Sequence, residues 1–243
     1  MLPVSLCLDF GNTTLKAAVF TGDKMTDRIE FTATEALATI ADIINTYKPE
    51  KSILSSVVHH DRQIENLLYT ATRFILLDKN TRLPFLNAYG SPETLGNDRL
   101  ALVAALGKQF PRQDSVVISI GTCITYNFLA KNNAFRGGAI SPGINLRLRS
   151  MYEFTDRLPL IQRDGHLPML GYDTDTSIRS GAINGIAAEI DGMLNNFTEQ
   201  YGTINAVLTG GDSPFFESRL KSKIFVDTNF LFKGLYAILD QYN

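Results

Sequence analysis

Leu8-Asp9-Phe10-Gly11-Asn12-Thr13-Thr14-Leu15-Lys16 decides how this chain is read. An apolar run ends in Asp9, glycine and three small polar residues follow the next phenylalanine, and a second apolar run begins at Leu15. Such a turn presents backbone N–H groups and hydroxyls with no bulky side chain over them, which suits an anionic phosphate. The arrangement returns about half a chain later as Ile118-Ser119-Ile120-Gly121-Thr122-Cys123-Ile124-Thr125-Tyr126. One such turn is weak evidence, because Asp, Gly and Asn are ordinary hairpin residues. Two of them, each opening one half of the chain, predict a duplicated α/β fold that closes on a nucleotide from both sides.

Outward from the first turn, Val4 to Asp9 and Leu15 to Phe20 read as strands. Thr34 to Tyr47 reads as a helix, since Leu37, Ile40, Ile43 and Ile44 keep helical spacing. Lys51 to Val58 and Phe74 to Leu77 read as strands around a short helix from Arg62 to Thr70. Leu83 to Gly96 carries two prolines and two glycines and reads as a loop, and Arg99 to Phe110 as a helix. After a polar break the order restarts: strands at Val116 to Ile120, Ile124 to Leu129 and Phe135 to Ile140, then helices at Ile144 to Phe154 and Thr176 to Asn196. Strands at Ala206 to Leu208 and Ile224 to Val226 and a helix from Leu231 to Leu239 complete it. The expectation is two α/β domains, 1–112 and 113–243, with a cleft between them and the closing helix packed back on the first.

The chain has 243 residues, 44% of them hydrophobic and 20% charged, enough for one large or two small globular domains. A net charge of −2 gives no electrostatic case for nucleic acid or an anionic membrane surface. The two cysteines, Cys7 and Cys123, sit in apolar stretches and read as buried, reduced packing residues of a cytoplasmic protein. The apolar start from Met1 to Leu8 lacks a basic n-region and Asp9 interrupts it, so it does not read as a secretory signal. No apolar run approaches the ~20 residues a membrane helix needs.

Asp9 can hold Mg²⁺, directly or through water, against nucleotide phosphates. Asn12, Thr13 and Thr14 can donate to phosphate oxygens and Lys16 adds a cation, although a hairpin with a surface lysine would read the same way. Thr122 and Thr125 offer hydroxyls at the second turn, with no carboxylate close in sequence. Asp98, after Leu95-Gly96-Asn97, can accept a proton from a substrate hydroxyl, with Arg99 beside it to orient an anionic group. An acidic residue in a helix's first turn is the ordinary alternative for Asp98. Thr209-Gly210-Gly211-Asp212 lets backbone approach a ligand or simply turns the chain. His59 and His60 have no metal-ligand spacing and read as solvated loop residues. Arg147, Arg149, Arg157 and Arg163 read as a solvated or subunit-facing surface.

Taken in order, these blocks resemble the type III pantothenate kinase family. The resemblance rests on Asp9 to Lys16, on Tyr89-Gly90 with Leu95-Gly96-Asn97-Asp98-Arg99, and on Gly121-Thr122-Cys123-Ile124-Thr125. It continues through Gly137 to Gly143, Thr155 to Pro159, Thr174 to Gly181 and Gly210-Gly211-Asp212. It implies an acetate kinase/hexokinase/actin-type fold of two ribonuclease-H-like domains, assembled as a homodimer. It implies ATP-dependent phosphorylation of pantothenate, the first step towards coenzyme A. Carried over by position, Asp9, Phe10, Gly11, Asn12, Thr13, Thr14, Leu15, Lys16 and Thr122 bind ATP, with Mg²⁺ at Asp9. Asp98 is the general base, and Tyr89, Gly96, Asn97, Asp98, Arg99 and Thr174 bind pantothenate. The family pattern has Asp where this chain has Ser119 and Asn127. The first of these is the monovalent-cation position (K⁺ or NH₄⁺), where Ser119 offers a hydroxyl without the charge. A catalytically impaired nucleotide- or metabolite-binding accessory protein on the same fold is the rival reading. A sugar or acetate-type kinase would need a different acceptor pocket.

Overall fold

A computed structural model describes residues 2–242; Met1 and Asn243, the outer ends of the two expected domains, lie outside the described residues. The chain divides into two units. One takes the chain up to Pro111, the short segment Asn133–Arg136 and everything from Asn229 on; the other takes Arg112–Asn132 and Gly137–Thr228.

In the first unit, β1 (Val4–Phe10) and β2 (Leu15–Thr21) form a hairpin, and β2 pairs antiparallel with β3 (Lys24–Phe31). Helix α1 (Ala36–Tyr47) leads to β4 (Lys51–Ser56), parallel to β1, and α2 (Arg62–Ala71) leads to β5 (Arg73–Leu76), parallel to β4. Helical crossovers are what parallel neighbours require. The sheet order is β3-β2-β1-β4-β5. Leu6, Leu8 and Phe10 pack with Leu54 against Ile40 and Ile43 of α1 and Ile64 and Leu68 of α2. By alternation, Cys7 and Asp9 project from the other face. There Phe20 stacks on Tyr236 of α7 (Phe230–Leu239) at 4.6 Å, and α3 (Asn97–Gln109) packs against α7 and β4. Helix α3 is buried without interruption from Arg99 to Leu106, as a helix enclosed between layers must be. Two residues of the long loop, Leu86 and Asn87 (β6), pair with Ala134 and Phe135.

In the second unit, β7 (Ser115–Ile120) pairs antiparallel with β8 (Cys123–Leu129), which neighbours β9 (Ala134–Pro142). Helices α4 (Ile144–Glu153) and α5 (Thr174–Tyr201) follow, then β10 (Asn205–Thr209), α6 (Ser213–Glu217) and β11 (Phe225–Val226). Strand β10 lies parallel to β7 and to β11, so the order β9-β8-β7-β10-β11 repeats that of the first unit. Its core joins Val116, Ile118 and Ile120 of β7 to Ile183, Ile186 and Ile190 of α5.

The structure differs from the sequence expectation where hydrophobic pattern is thin. Strand β3, which was not expected, is exposed at Lys24, Thr26, Asp27, Arg28 and Glu30, as a charged edge strand should be. Strand β6 and helix α6 were not expected either, and both are too short to show a period. Helix α5 runs beyond both expected ends, started by a capping box between Asp173 and Thr176. Among the described residues no helix is long and apolar enough to cross a membrane.

Candidate active site

The first turn is closed by Gly11 N–H donating to the Thr14 carbonyl at 3.3 Å. Asn12 and Thr13 stand exposed at its tip, whereas Phe10 and Leu15 are turned into the core and leave only their backbone for a ligand. Asp9 lies in register with Lys16 on β2 and with Ser55 on β4, so the three side chains form a row on one face of the sheet. Burial pushes the Asp9 carboxyl up to about 7; the Asp98 charge adds to the rise and Lys16 opposes it.

Asp98 sits in the first turn of α3, after the N-cap Gly96. Its carboxyl is also raised, chiefly by burial, against the pull of the Arg99 backbone and guanidinium. Asn97 fastens this helix start to the sheet by donating to the Leu77 carbonyl at 2.8 Å. Arg99 is buried, its guanidinium 5.4 Å from the Tyr89 ring centre and 5.8 Å from that of Phe135. Tyr89 and Phe135 stack at 5.9 Å. The loop carrying Tyr89 is pinned by backbone bonds from Leu86 to Asn133 and from Ala88 to Phe135, and by Asn133 Nδ2 donating to Pro84 at 2.9 Å. Tyr89, Gly96, Asn97, Asp98 and Arg99 therefore belong to one unit with Asp9. Phe135 and Asn133 were missed by sequence reading, since they lie in a segment assigned to the other half.

Thr174 belongs to the second unit, exposed at the start of α5. The second turn is in that unit too, closed by Gly121 N–H donating to the Cys123 carbonyl at 3.0 Å. Two glycines from distant segments press against it. A Cβ on Gly143 would stand 2.1 Å from the Gly121 carbonyl oxygen, and one on Gly210 (φ +95°) 2.3 Å from that of Ile120. Gly143 N–H donates to Thr122 O at 3.0 Å and Asp212 N–H to Ile120 O at 3.1 Å. A carboxylate residue thus joins this turn from far along the chain, where the local sequence offered none. Ser119 faces Thr125 on β8 and Thr209 on β10, a neutral row of hydroxyls that Asn127 extends by donating to Thr125 Oγ1 at 3.2 Å.

Four other expectations are corrected. His60 is tucked in, with Nε2 2.9 Å from Glu65 Oε1, Nδ1 3.1 Å from Ser56 Oγ and its ring edge-on to Phe10; only His59 is exposed. Arg147 is held by Glu189, which also accepts from Tyr126 at 2.9 Å and Ser141 at 2.5 Å. Burial alone would raise the Glu189 pKa, but these donors outweigh it and hold it low. Arg163 pairs with Asp212 at 2.6 Å. Cys123 is half-buried, unlike the enclosed Cys7.

Among the described residues no group of three or more His, Cys, Asp or Glu forms a metal cage. Mg²⁺ does not need one, since it keeps several waters and takes one or two carboxylates beside nucleotide phosphates. Asp9, with Asp98 close enough to feel its charge and a buried Ser55 hydroxyl without a partner in the same row, fits that mode.

The repeated strand order and the glycine turns at the ends of β1 and β7 define an α/β chain of the actin-like, two-domain class that includes sugar kinases. Glucokinase from an Antarctic psychrotroph superposes with a TM-score of 0.52 at 11% identity, covering 99% of this chain and 100% of that one. A Campylobacter jejuni protein assigned to the Baf family of transcriptional activators gives a TM-score of 0.63 at 22% identity, covering 98% of each chain. At such identities the likeness is one of fold. The family model for type III pantothenate kinase matches residues 5–196, and the Bacteroides fragilis (strain YCH46) protein of that name is 39% identical over 241 residues, 99% of each chain. The chain belongs to the type III pantothenate kinase family.

Proposed function

We propose that this protein transfers the γ-phosphoryl group of ATP to the primary hydroxyl of pantothenate, the opening step of coenzyme A synthesis. The observation that carries the reading, beside family membership, is the Asp98 carboxyl, half-buried at the start of α3, close enough for its charge to raise the Asp9 pKa and next to Arg99, whose guanidinium lies over the Tyr89 ring. Asp9 to Lys16 and Thr122 bind the phosphates, and Tyr89, Gly96 to Arg99 and Thr174 bind pantothenate. Asp9 would hold Mg²⁺, which would supply neutralisation of charge on the phosphates. Asp98 takes the proton of the attacking hydroxyl as its oxygen bonds to phosphorus and the bond to the ADP oxygen breaks. Positioning and charge neutralisation supply most of the barrier reduction. The protein works in the cytoplasm as a homodimer, without nucleic acid or membrane partners.

A coupled ADP-release assay with ATP, Mg²⁺ and pantothenate tests this. Pantothenate-dependent turnover is expected, and Asp98→Asn should lower kcat by roughly 10²–10⁴-fold with the fold intact. Unchanged turnover in that variant removes Asp98 as the base. No turnover by the folded wild-type protein in any salt turns the reading towards a binding accessory protein.

A further inference from the structure

Ser55 is fully buried on β4, and among the described residues its Oγ is the buried side-chain polar atom with no hydrogen-bond partner. Buried hydroxyls in that state are costly and rare in native chains. Its surroundings separate it from an ordinary core serine. Ser52, three residues earlier and on the opposite face of β4, is equally buried and is bonded to Thr72. Ser55 instead lies directly beside Asp9 in the β1–β4 ladder, and the two side chains leave the same face. That face is the one on which α3 brings in Asp98, not the face packed against α1 and α2.

We infer that Ser55 is a positioning residue for the metal-binding carboxylate, donating a hydrogen bond that fixes Asp9 in the orientation that takes Mg²⁺ when nucleotide is bound. The inference rests on the reading that Asp9 holds the metal. Carboxylates that ligate metals are themselves held by hydrogen bonds, and loss of such a partner typically weakens metal binding by 10–100-fold.

The test is a Mn²⁺ titration of the full-length protein, read by electron paramagnetic resonance with a non-hydrolysable ATP analogue, beside thermal melts without ligand. Ser55→Ala and Ser55→Cys, which removes the strong donor at similar volume, should weaken Mn²⁺ binding about 10–100-fold. Neither should lower Tm, because no native hydrogen bond is lost. Ser52→Ala serves as the control on the same strand: it should lower Tm and leave Mn²⁺ affinity at the wild-type value. Wild-type Mn²⁺ affinity in Ser55→Ala overturns the inference. Equal weakening in Ser52→Ala also overturns it, since that marks general loosening of β4. Failure is traced to the underlying reading by Asp9→Asn: if that variant binds Mn²⁺ as tightly as wild type, Asp9 is not the metal carboxylate and the role of Ser55 falls with it.

Discussion

Asp9 occupies a place that resists its own ionisation, with burial first and the charge of Asp98 second raising its pKa from 3.8 to about 7. The folded-state value lies above the unfolded one, so between about pH 4 and 7 the unfolded chain gives up this proton while the folded chain keeps it. Stability therefore falls as pH rises through that window. A fully realised shift of this size would be worth about 4 kcal/mol, and solvent screening at a half-buried site reduces it to about 1–2 kcal/mol. Asp9→Asn should accordingly melt higher than wild type at pH 8, with the difference gone by about pH 4, in paired melts across that range. Ser119 makes a second residue-scale case, because the hydroxyls around it carry no charge to favour K⁺. Wild-type turnover should change little on adding K⁺, whereas Ser119→Asp should make turnover rise with added monovalent cation, since a local carboxylate supplies the attraction that neutral hydroxyls lack. The Asp9 turn was legible in the sequence because its residues are contiguous. Ser55 was not, because its significance depends on a ladder register that joins residues 46 positions apart (55 − 9).

Elements were legible where they bury a repeating apolar face and illegible where tertiary pairing defines them. Strands β1, β2, β7 and β8 announced themselves by apolar runs on either side of a glycine. Strand β3 is polar along most of its length and exists because β2 offers it an edge. The prolines and glycines before α3 predict an irregular loop, yet Phe135 fixes it by pairing with Asn87 and stacking on Tyr89. Phe135 is fully buried, and its ring is also 6.3 Å from Phe85 and 5.8 Å from Arg99. Phe135→Leu keeps the bulk of the apolar contact and loses all three ring interactions, with Tyr89, Phe85 and Arg99, each worth about 0.5–1.5 kcal/mol. The expected result is a Tm lowered by a few degrees and a pantothenate KM raised about 10-fold, with the ATP KM unchanged. An equal rise in both KM values would show that the loop does more than place Tyr89 and Arg99.

At the scale of the whole molecule, the repeated 3-2-1-4-5 order explains why two turns could reveal a duplicated fold. The turns sit at equivalent corners of two sheets, whereas the strands between them share little sequence. Assembly is a different matter, since it leaves no periodic trace. One stretch of the second unit, from the end of α4 to the start of α5, keeps large apolar side chains in water: Phe154 is 84% exposed, Met169 84%, Leu170 86% and Tyr172 72%. Where exposed apolar side chains form one contiguous patch they mark an interaction surface, and net charge −2 gives little repulsion against a second copy. Thr174, a candidate pantothenate contact, follows directly at the head of α5. If copies of this chain meet through that stretch, dimerisation and substrate binding are linked. Light scattering after size exclusion should then give twice the mass of one chain for wild type and one chain for the Met169→Asp, Leu170→Asp double variant. That monomer should keep the wild-type affinity for ATP and bind pantothenate at least 10-fold more weakly. A monomeric variant with unchanged pantothenate affinity would place Thr174 outside the substrate site, and a variant that remains dimeric would place the interface elsewhere on the chain.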